Sequence, residues 1–319
     1  MAPPIRFGIT WGMHPDRPSP PEAMFSTAEA VEALGFDSLW IGDHIAFHGG
    51  HFTESLTTLA AFAARTTRLT IGTSVYLLPL RTPGVAAKTA ATVDFLSGGD
   101  RFVFGVGVGG EGKEEFDLCG VSLKERGART DEAIEIIRKL WSGKPICHEG
   151  RFWSFEETIQ SPPPATPGGP PIWIGGRSDA ARKRAALLGD GYVSYLFTAK
   201  RFADGMKQIQ EMAEKARREL PISGGGWTAA HHAFIYIDDD EDRALKTGTG
   251  YLTRRYNMNF EGIAEKYLIH GPPARCAEQL EAFTEAGASH FILRPVGAPE
   301  SDMDQMTLLA EEIIPKVRK

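Results

Sequence analysis

Apolar residues in this chain fall into short dense runs, and between the runs they recur at helical spacing. Runs at Ile5–Thr10, Ser38–Gly42, Leu69–Val75, Arg101–Val108, Pro171–Gly175, Gly191–Leu196, Ala233–Asp238 and His290–Pro295 each predict a buried strand. Met24, Ala28, Val31 and Leu34 mark one face of a helix that closes at Gly35. Ser19-Pro20-Pro21-Glu22 ahead of it reads as a capping box with proline in the first turn. A second capping box, Ser122-Leu123-Lys124-Glu125, opens a long helix with Ala133, Ile134, Ile137, Leu140 and Trp141 on its buried side. Further helices are predicted over Leu56–Arg65, from Thr82-Pro83 to Gly98, over Ser178–Leu188, on to about Leu220, over Pro273–Ala286, and around Met306–Ile313. The stretch 145–170, rich in proline and aromatics, predicts an excursion over a site, and 239–270 reads as helical.

Eight strands alternating with helices predict an α/β fold with a parallel sheet, and eight units predict closure into a (β/α)8 TIM-like barrel. No linker or repeat divides the chain, so residues 1–319 are expected to form a single domain.

Composition narrows the function classes. Of 319 residues, 42% are apolar and 24% charged, and the net charge of −6 is interspersed. There is no basic stripe for nucleic acid and no polybasic cluster for a membrane surface. The N-terminus lacks the pattern of a secretory signal, and no apolar run is long enough to cross a bilayer. Cys119, Cys147 and Cys276 are odd in number and far apart, which fits a reducing cytoplasm and offers no disulfide framework.

Candidate chemistry collects at the predicted strand ends, where barrels of this class place their sites. The second strand ends in Asp43-His44, and an imidazole there titrates near neutrality. A solvated loop is the plain alternative for that pair. The third strand ends Gly72-Thr73-Ser74-Val75, small enough for close approach of a flat ligand. The fourth ends in Gly105, Gly107, Gly109 and Gly110, followed by Glu111. This matches a G-x-G-x-x-G pattern, but the dinucleotide fingerprint opens a helix in the first unit of a doubly wound sheet, and here three units precede it. It reads instead as a glycine-lined floor with Glu111 as a second titratable group. Gly175-Gly176-Arg177-Ser178 leads into a helix, which makes an anion site of free amides, the helix dipole and one cation. His44, His48 and His51 beside Asp43 are too local for a catalytic metal, and His231, His232 and His290 fall at strand beginnings; no metal is expected. Trp11, Phe47, Tyr195, Phe197 and Arg294 are candidates for the rim, with Trp11, Tyr195 and Arg294 the substrate contacts; Lys200 and Arg294 are too little for a sugar-phosphate clamp.

Taken together the chain resembles the luciferase-like monooxygenase superfamily, and more closely its branch that uses the deazaflavin coenzyme F420. The resemblance rests on Ala33-Leu34-Gly35-Phe36-Asp37-Ser38-Leu39-Trp40, Asp43-His44, Gly72-Thr73-Ser74-Val75 and Gly105-Val106-Gly107-Val108-Gly109. It continues through Glu115-Phe116, Arg126, Arg129-Thr130-Asp131-Glu132, Pro171-Ile172-Trp173-Ile174-Gly175-Gly176 and Leu293-Arg294-Pro295. It implies insertion segments over the C-terminal mouth and a non-prolyl cis peptide at Ser74–Val75 under the cofactor ring. It implies that Asp43 contacts the ring, that Gly175, Gly176 and Ser178 hold the phosphate, and that His44 manages a proton. Glu111 is then the partner acid or base, with Glu114 as the alternative. The expected activity is hydride transfer between F420 and a small-molecule substrate. FMN with a partner reductase and oxygen, or flavin binding without turnover, are the other readings. Homodimers are common in the family.

Overall fold

The computed structural model describes residues 4–12, 18–47, 50–110, 112–222 and 225–318. Its strands are β1 (Arg6–Trp11), β2 (Ser38–Ile41), β3 (Thr70–Thr73), β4 (Tyr76–Leu77), β5 (Phe102–Gly107), β6 (Ile146–Glu149), β7 (Ser154–Thr158), β8 (Ile172–Gly175), β9 (Gly191–Tyr195), β10 (Thr228–Ile237), β11 (Leu268–Gly271) and β12 (His290–Pro295). Parallel pairing runs β1-β2-β3-β5-β8-β9-β10-β12 and returns to β1, closing the predicted eight-stranded barrel. Helices including Pro21–Ala33, Ser55–Arg65, Pro83–Leu96, Arg126–Trp141, Asp179–Leu188, Ala199–Lys215 and Pro273–Glu285 surround it. No helix among the described residues is long and apolar enough to cross a membrane.

Four expectations change. The seventh barrel strand, β10, begins at Thr228 instead of Ala233. Its first half, Thr228-Ala229-Ala230-His231-His232, carries small and polar side chains that hide the strand from an apolar count. They are tolerated because they are partnered: His231 Nδ1 lies 2.8 Å from Ser194 Oγ, and its ring stacks on Phe283 at 4.1 Å. The region 239–270 is only partly helical. The helix Glu241–Tyr256 is followed by β11, which pairs with the second half of β10 after β9 has paired with the first. The stretch 145–170 holds the antiparallel hairpin β6–β7 and lies away from the mouth: Glu132 accepts from the Phe152 and Trp153 amides and ties the hairpin to the helix Arg126–Trp141. Finally, neither expected capping box forms: the N-cap before Pro21 is Pro20, and Ser122 opens only the 3-10 turn Leu123–Glu125 ahead of the helix at Arg126, each without a side-chain cap.

The barrel is filled, and its glycines are spaced to allow this. Near the N-terminal strand ends Trp40 and Trp173 stack with ring centres 5.1 Å apart, and His290 meets both edge-on. Ser38 Oγ joins Trp40 Nε1 and His290 Nε2, each at 2.8 Å, so the polar atoms of this plug are satisfied. A Cβ on Gly72 would come within 2.4 Å of Trp40 Cζ3, and one on Gly191 within 2.7 Å of Trp173 Cδ1. These glycines admit indoles, not ligands.

Gly72→Ala is therefore expected to overpack the plug, costing about 1–3 kcal/mol and lowering the thermal midpoint in calorimetry. A second expectation concerns acid. Burial pushes His231 and His290 down from 6.5 to about 3, with His232 and Arg6 respectively adding like charge. Both stay neutral when folded and bind protons when unfolded, so stability is full above pH 6.5 and declines as pH falls toward 3. Each should cost roughly 2 kcal/mol between pH 7 and pH 5; thermal unfolding scans across that range measure it.

Candidate active site

The site is built outward from the end of β2. Asp43 is buried, and its two oxygens accept from Arg81 Nη1 at 2.5 Å, Arg81 Nη2 at 2.8 Å, the Leu77 amide at 2.9 Å and Ser55 Oγ at 3.1 Å. That set fills the acceptor capacity of a carboxylate. Asp43 lines the mouth cavity, but its carboxylate is committed to these partners and not free for a ring. Arg81 in turn lies over the Tyr76 ring at 4.3 Å. Burial pushes the Tyr76 phenol well above its ordinary value despite the opposing charge of Arg81.

His44 follows directly. Its Nδ1 is 3.2 Å from both carboxylate oxygens of Glu115, which is fully buried on the short helix Lys113–Leu118. Glu115 also accepts from the Ile45 amide at 3.2 Å. The imidazole stacks on Phe47 at 4.2 Å and meets Phe52 edge-on at 4.6 Å. With Nδ1 engaged by a carboxylate, Nε2 is the nitrogen available to the cavity, an orientation suited to moving one proton. Glu115 was not singled out as a site residue from the sequence. Glu114, the expected alternative, is exposed on the same helix, and Glu111 lies outside the described residues, as does His48.

Beyond β3 the Ser74–Val75 peptide is cis, as the resemblance implies. Val75 wedges between the ends of β5 and β8. A Cβ on Gly107 would strike Val75 Cγ2 and one on Gly175 would strike Val75 Cγ1. Both glycines thus make room for Val75 and line the cavity beside it. Gly109, at φ +63°, turns the chain away over Leu77 and Phe116.

The predicted anion site opens the helix Asp179–Leu188. The Gly176 amide bonds Val193 O at 3.2 Å and its carbonyl accepts from Tyr192 Oη at 2.6 Å, so Gly176 itself offers no free donor. Ser178 Oγ caps the Ala181 amide at 3.2 Å, which leaves the other amides of the first turn for an anion. Arg177 lies 4.9 Å over the Tyr195 ring. Arg126 joins them from the start of its helix, and its Nε is buried with no partner among the described residues.

Across the mouth stands Arg294, a rim candidate from the sequence, together with Tyr251 and Arg255, which the sequence did not single out, and His232, which it set aside. Arg294, buried on β12, donates to Thr10 O at 3.1 Å and Gly12 O at 3.3 Å, with Nε 3.4 Å from Tyr251 Oη. Tyr251 and Arg255 come from the helix Glu241–Tyr256, four residues apart and so on one face. Burial alone would raise the Tyr251 phenol, but the charges of Arg294 and Arg255 bring it below its ordinary value. His232 sits in mid-strand, not at a strand beginning: Nδ1 is 3.2 Å from Ser74 Oγ, and Nε2 is buried without a partner among the described residues. Burial, then Arg255 and Arg294, hold it down at about 3, so it is neutral.

These elements enclose a cavity of about 390 Å³ that includes Trp11, His44, Val75, Ser178, Tyr195 and Arg294 in its lining. Phe197 is buried beneath Arg201 and Lys200 pairs with Asp204 on the exposed surface; neither lines the cavity. Among the described residues, Arg126, Arg177, Arg255 and Arg294 line it against one carboxylate, Asp43, which Arg81 already neutralises. No cluster of three His, Cys, Asp or Glu side chains among the described residues is placed to hold a metal ion.

A parallel TIM-type barrel with a cis bulge on β3 and an imidazole at the end of β2 defines a ligand-binding barrel with its chemistry at the C-terminal mouth. The chain matches the luciferase-like monooxygenase family over residues 6–290 and belongs to that family. It is 29% identical to a protein of Nakamurella multipartita called F420-dependent glucose-6-phosphate dehydrogenase, over 99% of this chain and 97% of that one. Its fold is similar to that of a monooxygenase from Streptomyces bottropensis, with a TM-score of 0.84 at 23% identity, covering 98% of this chain and 99% of the other. It is also similar to an F420-dependent secondary alcohol dehydrogenase in complex with an F420–acetone adduct, with a TM-score of 0.83 at 21% identity, covering 99% and 100%.

The Asp43–Arg81 pair invites a direct test. Arg81→Ala leaves a buried carboxylate with half its partners, and the expected loss is about 3–5 kcal/mol of stability, read as a shifted denaturant midpoint.

Proposed function

We propose that the protein is a coenzyme F420-dependent oxidoreductase that exchanges a hydride with a small organic substrate. The observation that carries this reading is the His44–Glu115 dyad, set at the cavity wall beside the Val75 floor. Several features of the cavity suit a flat tricyclic ring with an anionic tail. Val75 offers an apolar platform at the ends of three strands, and the first turn at Ser178 offers amides to a phosphate. The Arg126 Nε, buried with no partner among the described residues, offers a donor beside them. The relatives called F420-dependent add weight, since the likeness to one of them spans almost the full length of both chains.

When bound, F420 supplies a two-electron hydride carrier whose reduced form reacts poorly with oxygen. The rest falls to this chain. The amides after Gly176, with Arg177 and Arg126, bind the phosphate end. Val75 sets the plane of the ring. Asp43 and Arg81 hold the loop that carries His44, and Glu115 fixes the imidazole so that Nε2 takes or gives the substrate's proton. His232 stays neutral throughout and serves as a hydrogen-bonding group, not a base.

Titration of the protein with oxidised F420 and with FMN, followed by fluorescence, tests the reading. Tight F420 binding with weak FMN binding is expected. The reverse, with oxygen uptake on addition of reduced FMN, would replace it with a monooxygenase fed by a partner reductase. Within the F420 reading, His44→Ala should lower turnover roughly 10²–10⁴-fold while cofactor affinity stays within a few-fold. Loss of cofactor binding would instead make His44 a structural residue.

A further inference from the structure

The cavity has two cationic poles, and the proposed cofactor accounts for one of them. Arg126 and Arg177 stand at the ends of β5 and β8, where the phosphate is placed. Arg255 and Arg294 stand at the β10–β12 side, with β9 and β10 between β8 and β12 in the ring. At this second pole both guanidinium groups are held by neutral partners. Arg294 is fixed by two backbone carbonyls and the Tyr251 hydroxyl. Arg255 is braced by the Phe47 and Phe52 rings at 5.9 and 5.3 Å, with no hydrogen-bond or ion-pair partner among the described residues. Asp302 is the carboxylate whose charge Arg294 feels, and it does not line the cavity. Asp302 thus offsets Arg294 from outside the cavity, while on the cavity side neither guanidinium meets an anion among the described residues, an arrangement suited to a ligand that supplies the charge there. The His232 Nε2, buried and unpartnered among the described residues, lines the same space.

We propose that Arg255, Arg294 and Tyr251 form a subsite for an anionic group of the substrate, a carboxylate or a phosphate. The planar forks of two arginines suit either group, and the Tyr251 hydroxyl adds a donor. This rests on assigning the β5–β8 pole to the cofactor. The substrate is then a molecule whose reacting carbon lies within the same cavity as its anion, with the charged end turned away from Ser178.

The F420-loaded protein is titrated calorimetrically with inorganic phosphate and, separately, with acetate. Saturable binding of one of them is expected, and the preferred anion identifies the class. Arg255→Gln should weaken that binding roughly tenfold or more, whereas Lys200→Ala, which removes an exposed cation outside the cavity, should not. A spectroscopic readout accompanies it. The near-ultraviolet phenolate signal of Tyr251, isolated by difference against Tyr251→Phe, should titrate at higher pH once the anion is bound, because the anion offsets the two guanidinium charges. Binding of neither anion, or an Arg255→Gln protein that binds as wild type does with an unmoved Tyr251 titration, overturns the proposal. The same titrations on cofactor-free protein separate the two readings: if F420 does not bind but Arg255→Gln still weakens anion binding, the cofactor assignment fails and the subsite stands.

Discussion

The mouth of this barrel hangs on one carboxylate. Asp43 draws together a guanidinium, a backbone amide beyond the β3 bulge and the first hydroxyl of the helix Ser55–Arg65. Three chain segments are thereby fixed to the end of β2 at the residue before His44. The imidazole inherits its position from that knot, and Glu115 then fixes its rotation. A charge that sequence alone offers as a ligand contact is in the structure a fastening, and the neighbouring histidine is left to face the cavity.

Much of the fold was legible because both faces of the barrel strands are buried, so that β1, β2, β3, β5, β8, β9 and β12 read as continuous apolar runs. The start of β10 was not, because Ala229, Ala230, His231 and His232 are buried through specific partners that no hydropathy count registers. The site divides in the same way. Asp43, His44, Ser74, Ser178 and Arg294 stood out by place and chemistry. The reason for Gly107 and Gly175 did not, since both yield to one valine that reaches them from another strand. Glu115 lay in a visible motif among three other acids. What marks it is burial together with Phe116 between exposed neighbours, a helical face that sequence can suggest and only the fold can aim at His44. Tyr251 and Arg255 share a face by their spacing, but nothing local says that the face turns toward the mouth.

Electrostatics gives the cavity its polarity. Four arginines line it, the one carboxylate among its described lining is already paired, and His232 is kept uncharged by burial, with Arg255 and Arg294 adding to the effect. Of the described imidazoles in the cavity, His44 is the one whose ring meets a buried carboxylate. The arginines of the cavity and the carboxylate-backed imidazole therefore belong to separate groups of contacts.

The stacked indoles of Trp40 and Trp173 carry a consequence for traffic. A barrel stoppered at its lower end has one doorway, and everything that visits the interior must queue there. A ligand seated against Val75 beneath a second one would arrive first and depart last. The enzyme's kinetics should therefore be sequential and ordered, with the deeper guest acting as the leading reactant and its release waiting on the shallower one. Two tryptophans packed in the barrel interior would then dictate the order in which the catalytic cycle is written.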